Sequence, residues 1–136
     1  MKKTALIITI ICTLFLVGCE NPSKSRLYMD EGNKLMMNYG KFDEAEAAFD
    51  KAIQYDKNNY EAYYLRGCVK INEKKYKDAL ADLERAIELK PDYADAYFNI
   101  GRVYFLLKDE EKACEYYKLA EKYGRPNLED YLRRCQ

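Results

Sequence analysis

Residues 60–92 read YEAYYLRGCVKINEKKYKDALADLERAIELKPD and contain two amphipathic segments joined by a short polar turn. In each segment the apolar residues recur at three- and four-residue steps, which places them on one side of a helix. Gly67 and Ala79 are small residues at which two helices can approach closely, and Pro91 cannot continue the second helix. The pattern predicts a helical hairpin, and a hairpin this small cannot bury its apolar face without neighbouring units.

Copies of this unit recur at a spacing of 34 residues. Ala45, Ala79 and Ala113 show the spacing, and Gly67 and Gly101 show it again. Further series with the same spacing are Ala52, Ala86 and Ala120; Phe49, Leu83 and Tyr117; and Tyr63 and Tyr97. Self-similarity at this period is typical of a helical repeat array, in which each unit buries its apolar face against the next.

These positions carry a resemblance to the tetratricopeptide repeat (TPR) family over about residues 26–126. The second repeat matches the family pattern at Tyr63, Gly67, Tyr76, Ala79, Leu83, Ala86 and Pro91. The third matches it at Tyr97, Gly101, Tyr104, Ala113, Tyr117 and Ala120, and the first at Gly32, Phe42, Ala45, Phe49 and Ala52. Departures from the pattern occur at Lys57, Lys70, Glu110 and Arg125, and the first repeat has one extra residue between Gly32 and Ala45.

The resemblance implies an all-α fold. Three antiparallel helix pairs, at about residues 26–59, 60–93 and 94–126, would form a right-handed superhelical solenoid. A C-terminal capping helix is expected at residues 127–136, with Asn127 as its N-cap. Its apolar stripe would consist of Leu128, Tyr131, Leu132 and Cys135. One face of this helix would seal the last repeat, and the other would stay in contact with water.

Residues 1–18 are predicted to be a signal peptide. Their apolar run, residues 5–17, is shorter than the roughly 20 residues that span a bilayer. The run leads into Leu16-Val17-Gly18-Cys19, which resembles the lipobox of bacterial lipoproteins. The resemblance implies a diacylglyceryl thioether on Cys19, cleavage before Cys19, and acylation of its new amino group with palmitate or a similar chain. Residues 19–25 would form a tether. The alternative is a signal anchor in which this cysteine occurs by chance.

The predicted location is therefore the bacterial cell envelope, with the chain held at a membrane by lipid. Two or more acyl chains give stable anchoring, whereas one binds only marginally. Glu20 is not the aspartate that retains many Gram-negative lipoproteins at the inner membrane. In a Gram-negative cell the outer membrane is accordingly the expected site.

Composition argues against several classes of function. The chain has no histidine and a formal net charge of zero, so neither an imidazole base nor a broad basic field for nucleic acid is expected. Serine is confined to Ser23 and Ser25 in the predicted tether, and every threonine precedes them. The folded part is therefore expected to contain no Ser, Thr or His. No enzymatic activity, cofactor, metal or small-molecule substrate is predicted.

Cys68, Cys114 and Cys135 lie in the predicted folded part. They lack the short spacings of a zinc site. A disulfide between Cys114 and Cys135 is one interpretation, because the last repeat helix and the capping helix should pack together. The favoured interpretation is three small, buried apolar residues.

In this family the first helix of each repeat lines a concave groove. By resemblance, the groove of this chain is lined by Met29, Asn33, Met36, Glu61, Tyr64, Cys68, Ile71, Asp95, Phe98, Arg102 and Phe105. Surfaces rich in methionine and aromatic residues are typical of adaptable protein-binding sites. The alternative for any single residue is that it belongs to the core between repeats.

Some family members bind the C-terminal carboxylate of chaperones through a clamp of lysine, asparagine and arginine side chains. The five corresponding positions here are Met29, Asn33, Leu65, Asp95 and Asn99, of which only Asn33 matches. Asp95 would repel a carboxylate. The clamp is therefore predicted to be absent, although Arg102 could hold an acidic group of a partner.

These observations predict a membrane-anchored adaptor. The chain would bind an extended or helical peptide of an envelope protein in its concave groove and so scaffold a complex. The alternative is a self-associating structural or spacer lipoprotein without a peptide ligand, in which the chain forms a homo-oligomer. The fold hosts many roles, so the pattern does not identify the partner.

Overall fold

The computed structural model describes residues 20–135, which form seven helices joined by short turns and contain no strand. The helices are α1 (Pro22–Tyr39), α2 (Phe42–Tyr55), α3 (Tyr60–Asn72), α4 (Tyr76–Leu89), α5 (Ala94–Leu106), α6 (Glu110–Lys122) and α7 (Glu129–Arg133). Consecutive helices pack as three pairs, and each pair packs on the next. The prediction of an all-α array of three helix pairs is confirmed. Within these residues, no helix has the length and apolarity needed to cross a membrane.

The helices of each pair cross at a glycine. A Cβ atom on Gly101 would lie 2.7 Å from the ring of Tyr117, and one on Gly67 would lie 3.0 Å from the Cγ of Leu83. Both distances are shorter than a relaxed carbon–carbon contact. The 34-residue spacing of these two glycines therefore reflects the close approach of the paired helices.

The core runs along the array between the pairs. Its largest fully buried apolar side chains are Phe49, Val69, Leu83, Ile100 and Val103. Burying a side chain of this size contributes about 1.5–3 kcal/mol. Alanines at the repeated positions, such as Ala52, Ala86 and Ala120, are also fully buried, because they let adjacent helices pack closely.

The N-terminal boundary of the folded part differs from the prediction. Helix α1 begins at Pro22 rather than near Arg26, because Asn21 caps it by accepting a hydrogen bond from the backbone N–H of Lys24 at 3.0 Å. Ser25 is fully buried and accepts a hydrogen bond from the Asn59 amide at 2.9 Å. The prediction of a tether is therefore wrong for residues 22–25, and the folded part does contain a serine.

The predicted signal peptide, residues 1–18, and the predicted lipidation site Cys19 lie outside the described residues.

The C-terminal cap is shorter than predicted. Helix α7 has five residues, and Asn127 does not cap it but adopts a positive φ of 60°. Leu128 precedes the helix and is 3% exposed, packed in a cluster with Phe98 and Tyr117. Because so short a helix has little stability of its own, its position depends on these contacts and on a covalent link.

That link is a disulfide between Cys114 of α6 and Cys135, with the two Cα atoms 5.5 Å apart. The favoured prediction of three reduced, buried cysteines is therefore wrong for this pair. The sequence does place both residues at the predicted contact between the last repeat helix and the cap. Cys68 remains a free thiol.

Candidate partner-binding surface

The predicted groove residues divide among three neighbouring places along the array. At the N-terminal end, a cavity of about 470 Å³ lies between the starts of α1 and α3. Met29, Asn33 and Glu61 line it, together with Arg26 and several polar side chains of the turn before α3. This cavity is open and mainly polar, so it offers hydrogen-bonding groups rather than an apolar pocket.

In the middle of the array, Asn99 connects the second and third repeats. Its amide nitrogen donates to the hydroxyl of Tyr64 at 3.1 Å and lies 3.4 Å from the sulfur of Cys68. Its amide oxygen accepts a hydrogen bond from Arg102 at 2.9 Å. Asn99 is 5% exposed, whereas Arg102 is exposed. A buried amide therefore holds an accessible guanidinium group in place.

A second arginine stacks on the same surface. The guanidinium carbon of Arg125 lies 4.0 Å from the centre of the Phe98 ring, and Arg125 forms an ion pair with Asp95. Arg102 lies over the same ring at 5.9 Å. Stacking on an aromatic face restricts a guanidinium group while leaving its N–H groups available for planar, bidentate contacts. Together, Tyr64, Asn99, Arg102 and Arg125 define the central cluster.

Tyr64 of the central cluster and the neighbouring Cys68 are neutral near pH 7. Burial raises the pKa of Tyr64 to about 12, assisted by the neighbouring Cys68 and opposed by Arg125. Burial also raises the pKa of the Cys68 thiol to about 11, although the Tyr64 hydroxyl and the two arginines oppose the shift. A thiol in this state is a poor nucleophile. The charge that the cluster presents to a partner therefore comes from its arginines.

At the C-terminal end, a cavity of about 290 Å³ lies beside α7. Phe105 is the predicted groove residue at this site, and it contacts the guanidinium of Arg134 at 5.7 Å from the ring centre. The remaining lining comes from α6 and the cap, namely Glu110, Ala113, Cys114, Tyr117, Tyr131 and Cys135. Its wall is mostly apolar, in contrast to the N-terminal cavity.

Three predicted groove residues expose little of their surface. Met29, Ile71 and Phe98 are 7%, 8% and 7% exposed. Ile71 packs against the core that α4 and α5 form, and Phe98 is covered by Tyr117, Tyr131 and Arg125. Met36 is half-buried beside the Phe49 cluster. The burial of Ile71 and Phe98 agrees with the alternative that the sequence left open for single residues, namely that they belong to the core.

Sequence reasoning missed Asn99 and Arg125. The family pattern marks Asn99 only as a mismatch to the carboxylate clamp, and Arg125 only as a departure from the proline of the repeat. Each is a polar residue that departs from the family pattern at its position. A departure of this kind can indicate a functional residue. Among the residues that the structure describes, no group of three His, Cys, Asp or Glu side chains could hold a metal ion.

Models of known families match the repeats that the geometry shows. A TPR repeat model matches residues 71–108, and two tetratricopeptide repeat models match residues 48–81 and 94–123. The chain contains tetratricopeptide repeats. These matches extend over the second and third helix pairs and the end of the first.

Curated relatives share the TPR region. The chain is 37% identical over 79 residues to the Hsp70-Hsp90 organizing protein of Triticum aestivum, covering 58% of this chain and 14% of that protein. It is 40% identical over 81 residues to the DnaJ homolog subfamily C member 3 of Rattus norvegicus, covering 60% of this chain and 16% of that protein. The chain thus spans less than a fifth of the length of these relatives.

Solved structures agree with the fold over most of the chain. The first TPR of Spaghetti (RPAP3), bound to the HSP90 peptide SRMEEVD, has a TM-score of 0.80 and 27% identity, covering 85% of this chain and 93% of that one. The crystal structure of MamA has a TM-score of 0.69 and 30% identity, covering 76% of this chain and 60% of that one. The TPR array is thus similar to arrays found in proteins of different kinds.

Proposed function

We propose that this chain is an adaptor of the bacterial cell envelope, held at a membrane by a lipidated Cys19, that binds a protein or peptide partner on its TPR face. The observation that carries the binding proposal is the central cluster. Asn99 is buried and holds Arg102 at an accessible position beside the Tyr64 hydroxyl. A fixed guanidinium group next to aromatic rings suits a carboxylate of a partner better than a flexible one does.

The similar solved structures support a peptide as partner. One of them, 27% identical to this chain, contains a bound HSP90 peptide. This chain has Met29, Leu65 and Asp95 at three positions of the chaperone clamp. The ion pair between Asp95 and Arg125 offsets the negative charge at the third of these positions. We therefore expect recognition through Arg102 rather than through the lysines of that clamp.

The lipid-anchor proposal sets the distance of the array from the membrane. Helix α1 begins at Pro22, so only residues 19–21 would separate the lipid from the first helix. Three residues span at most about 10 Å. The N-terminal cavity, which includes Pro22 and Arg26, would then lie next to the lipid headgroups, and the central cluster would lie further from them.

Metabolic labelling with a palmitate analogue tests the anchor. We expect the full-length chain to incorporate the label and fractionate with membranes. The Cys19→Ser variant should lose the label, and the matched Cys12→Ser variant should keep it, because only Cys19 occupies the lipobox position. Equal labelling of both variants would contradict the proposal.

Photo-crosslinking in cells tests the partner site. Phe98 is buried, so the crosslinking amino acid is placed at Glu61, which is exposed at the predicted binding face. Its control position is Gln54, which is exposed on α2. We expect one dominant adduct from Glu61, and its loss when Arg102→Glu is introduced. A melting curve of the Arg102→Glu variant confirms that it is folded.

Other outcomes of the crosslinking decide against the adaptor. An adduct with twice the mass of the chain indicates the self-associating spacer instead. The same adducts from Gln54 and Glu61 contradict a defined binding face, as does an adduct that Arg102→Glu leaves unchanged.

A further inference from the structure

The C-terminal cavity lies where the next helix of the array would pack. Phe105 follows Ile71 by 34 residues and so occupies the same place in its repeat. Ile71 is 8% exposed, because α5 packs over it with Ala96, Ile100 and Val103. Phe105 is only half-buried and lines the cavity. The difference between these equivalent residues shows which part of the last repeat lacks a covering helix.

Helix α7 covers the rest of that repeat. It lies on Phe98 and Tyr117 through Tyr131, whose ring centre is 5.0 Å and 5.1 Å from theirs. Helix α5 has 13 residues and α7 has five, so at 1.5 Å per residue they extend over about 20 Å and about 8 Å. Among residues 20–135, the shorter α7 leaves the surface around Phe105 without a covering helix.

The cavity is preformed because a covalent bond fixes its wall. The Cys114–Cys135 disulfide joins α6 to the cap, and both cysteines line the cavity. The cap therefore cannot swing across Phe105 without breaking the bond. A preformed apolar site of this kind requires little ordering when a ligand enters it.

Charged side chains at the rim indicate the chemistry of the occupant. Glu110, Glu111 and Glu115 are exposed along the start of α6, and none forms an ion pair within the described part of the chain. They border a shallow depression continuous with the cavity through Cys114 and Cys135. Arg134 is the principal positive group facing them, with Lys118 at the far edge. The α6 edge of the site is accordingly acidic.

We propose that this cavity docks an amphipathic helix of a partner protein in the position of a further repeat helix. A large apolar side chain of that helix fills the space beside Phe105 and Ala113. Lysine or arginine residues along one edge pair with Glu110, Glu111 and Glu115, and an acidic residue faces Arg134. The site is separate from the central cluster, so the chain can bind a peptide and a helix at different surfaces.

A selection from displayed peptides tests this proposal. The full-length chain is reconstituted in phosphatidylcholine nanodiscs and exposed to a phage-displayed library of helical peptides of about 18 residues, a length at which isolated helices are measurable. One stripe of each peptide is varied among Leu, Phe, Met and Ala, and the flanking edges are varied between Lys and Glu. Empty nanodiscs remove peptides that bind lipid.

The expected result is enrichment of peptides with a large apolar stripe and one lysine-rich edge. Their affinity should fall at least about tenfold for Glu111→Lys combined with Glu115→Lys, because attraction becomes repulsion at two contacts. Glu31→Lys combined with Glu84→Lys, the same total charge change at exposed positions on α1 and α4, should leave the affinity unchanged. Bound peptide should also protect the amides around Phe105 from hydrogen exchange.

Several results would overturn the proposal. Selection of no peptide, of peptides with glutamate-rich edges, or of peptides unaffected by the α6 changes would each do so. Self-association of the chain that the α6 changes abolish would assign the cavity to a second copy. None of these results bears on Arg102, and retention of the chain in the nanodiscs reports the lipid anchor, so a failure of the proposed function is distinguished from a failure of this proposal.

Discussion

Asp82 is an acidic side chain buried between α3 and α4. It is 5% exposed and accepts hydrogen bonds from Arg66 at 2.8 Å and from Lys70 at 2.8 Å. Lys70 stands where the TPR pattern has tyrosine, and the structure explains this departure, because the ammonium group neutralises Asp82. A buried carboxylate persists when it is paired and hydrogen-bonded.

Replacing Asp82 with alanine should therefore destabilise the chain strongly. The change leaves Arg66 and Lys70 half-buried without their shared partner, and breaking a buried pair in this way costs about 3–5 kcal/mol. Asp50→Ala is the matched control, since Asp50 also pairs with Arg66 but has a side chain 55% exposed. Its loss should cost at most about 1 kcal/mol. Urea unfolding, monitored by circular dichroism, measures the free energy of unfolding of both variants. An equal loss of stability in Asp82→Ala and Asp50→Ala would contradict this account.

At the scale of elements, the two ends of the array depend on different stabilising devices. Helix α1 has Asn21 as a side-chain cap and Pro22 in its first turn. Helix α7 has no side-chain cap and is held by Leu128, the Tyr131 ring and the disulfide. The cap of α1 is formed by residues next to it in sequence, whereas α7 is held mainly by tertiary contacts.

Breaking the disulfide should therefore release α7 selectively. The bond joins residues 21 apart, and closing a loop of this size contributes about 3 kcal/mol in the chain-entropy account. In Cys135→Ser, amides of α7 should lose protection from hydrogen exchange while those of α3 and α4 keep theirs. Cys68→Ser is the control and should leave α7 protected. Unchanged protection of α7 in Cys135→Ser would show that Leu128 and Tyr131 suffice.

The interior helices were predictable because each has a copy 34 residues away. The crossing of α5 and α6, for example, follows from Gly101 and Ala113 as repeats of Gly67 and Ala79. The terminal elements have no such copy. Residues 22–25 resembled a linker by composition, and their helical state depends on the burial of Ser25 against Asn59 in the next repeat.

At the scale of the whole molecule, the candidate site lies where repeats meet. The register of the repeats predicts that Tyr64 and Arg102 lie on helices that line one face, and the structure places both on Asn99. The register does not predict the hydrogen bonds of Asn99 or the stacking of Arg125, because these depend on side-chain geometry across a repeat boundary. Contacts of this kind couple the stability of the array to the protonation of the site.

Alkaline pH should accordingly weaken the array. The ordinary tyrosine pKa is 10.0, and burial raises the pKa of Tyr64 and of Tyr117 to about 12. Below pH 10 both hydroxyls are protonated in the folded and unfolded chains, so stability is complete. Between pH 10 and 12 the unfolded chain loses these protons first, and stability falls.

Urea midpoints at pH 9 and 11 measure this loss of stability. Tyr64→Phe should reduce the loss, whereas Tyr39→Phe, at an exposed ring, is the control; equal pH dependence in both would contradict this role of Tyr64.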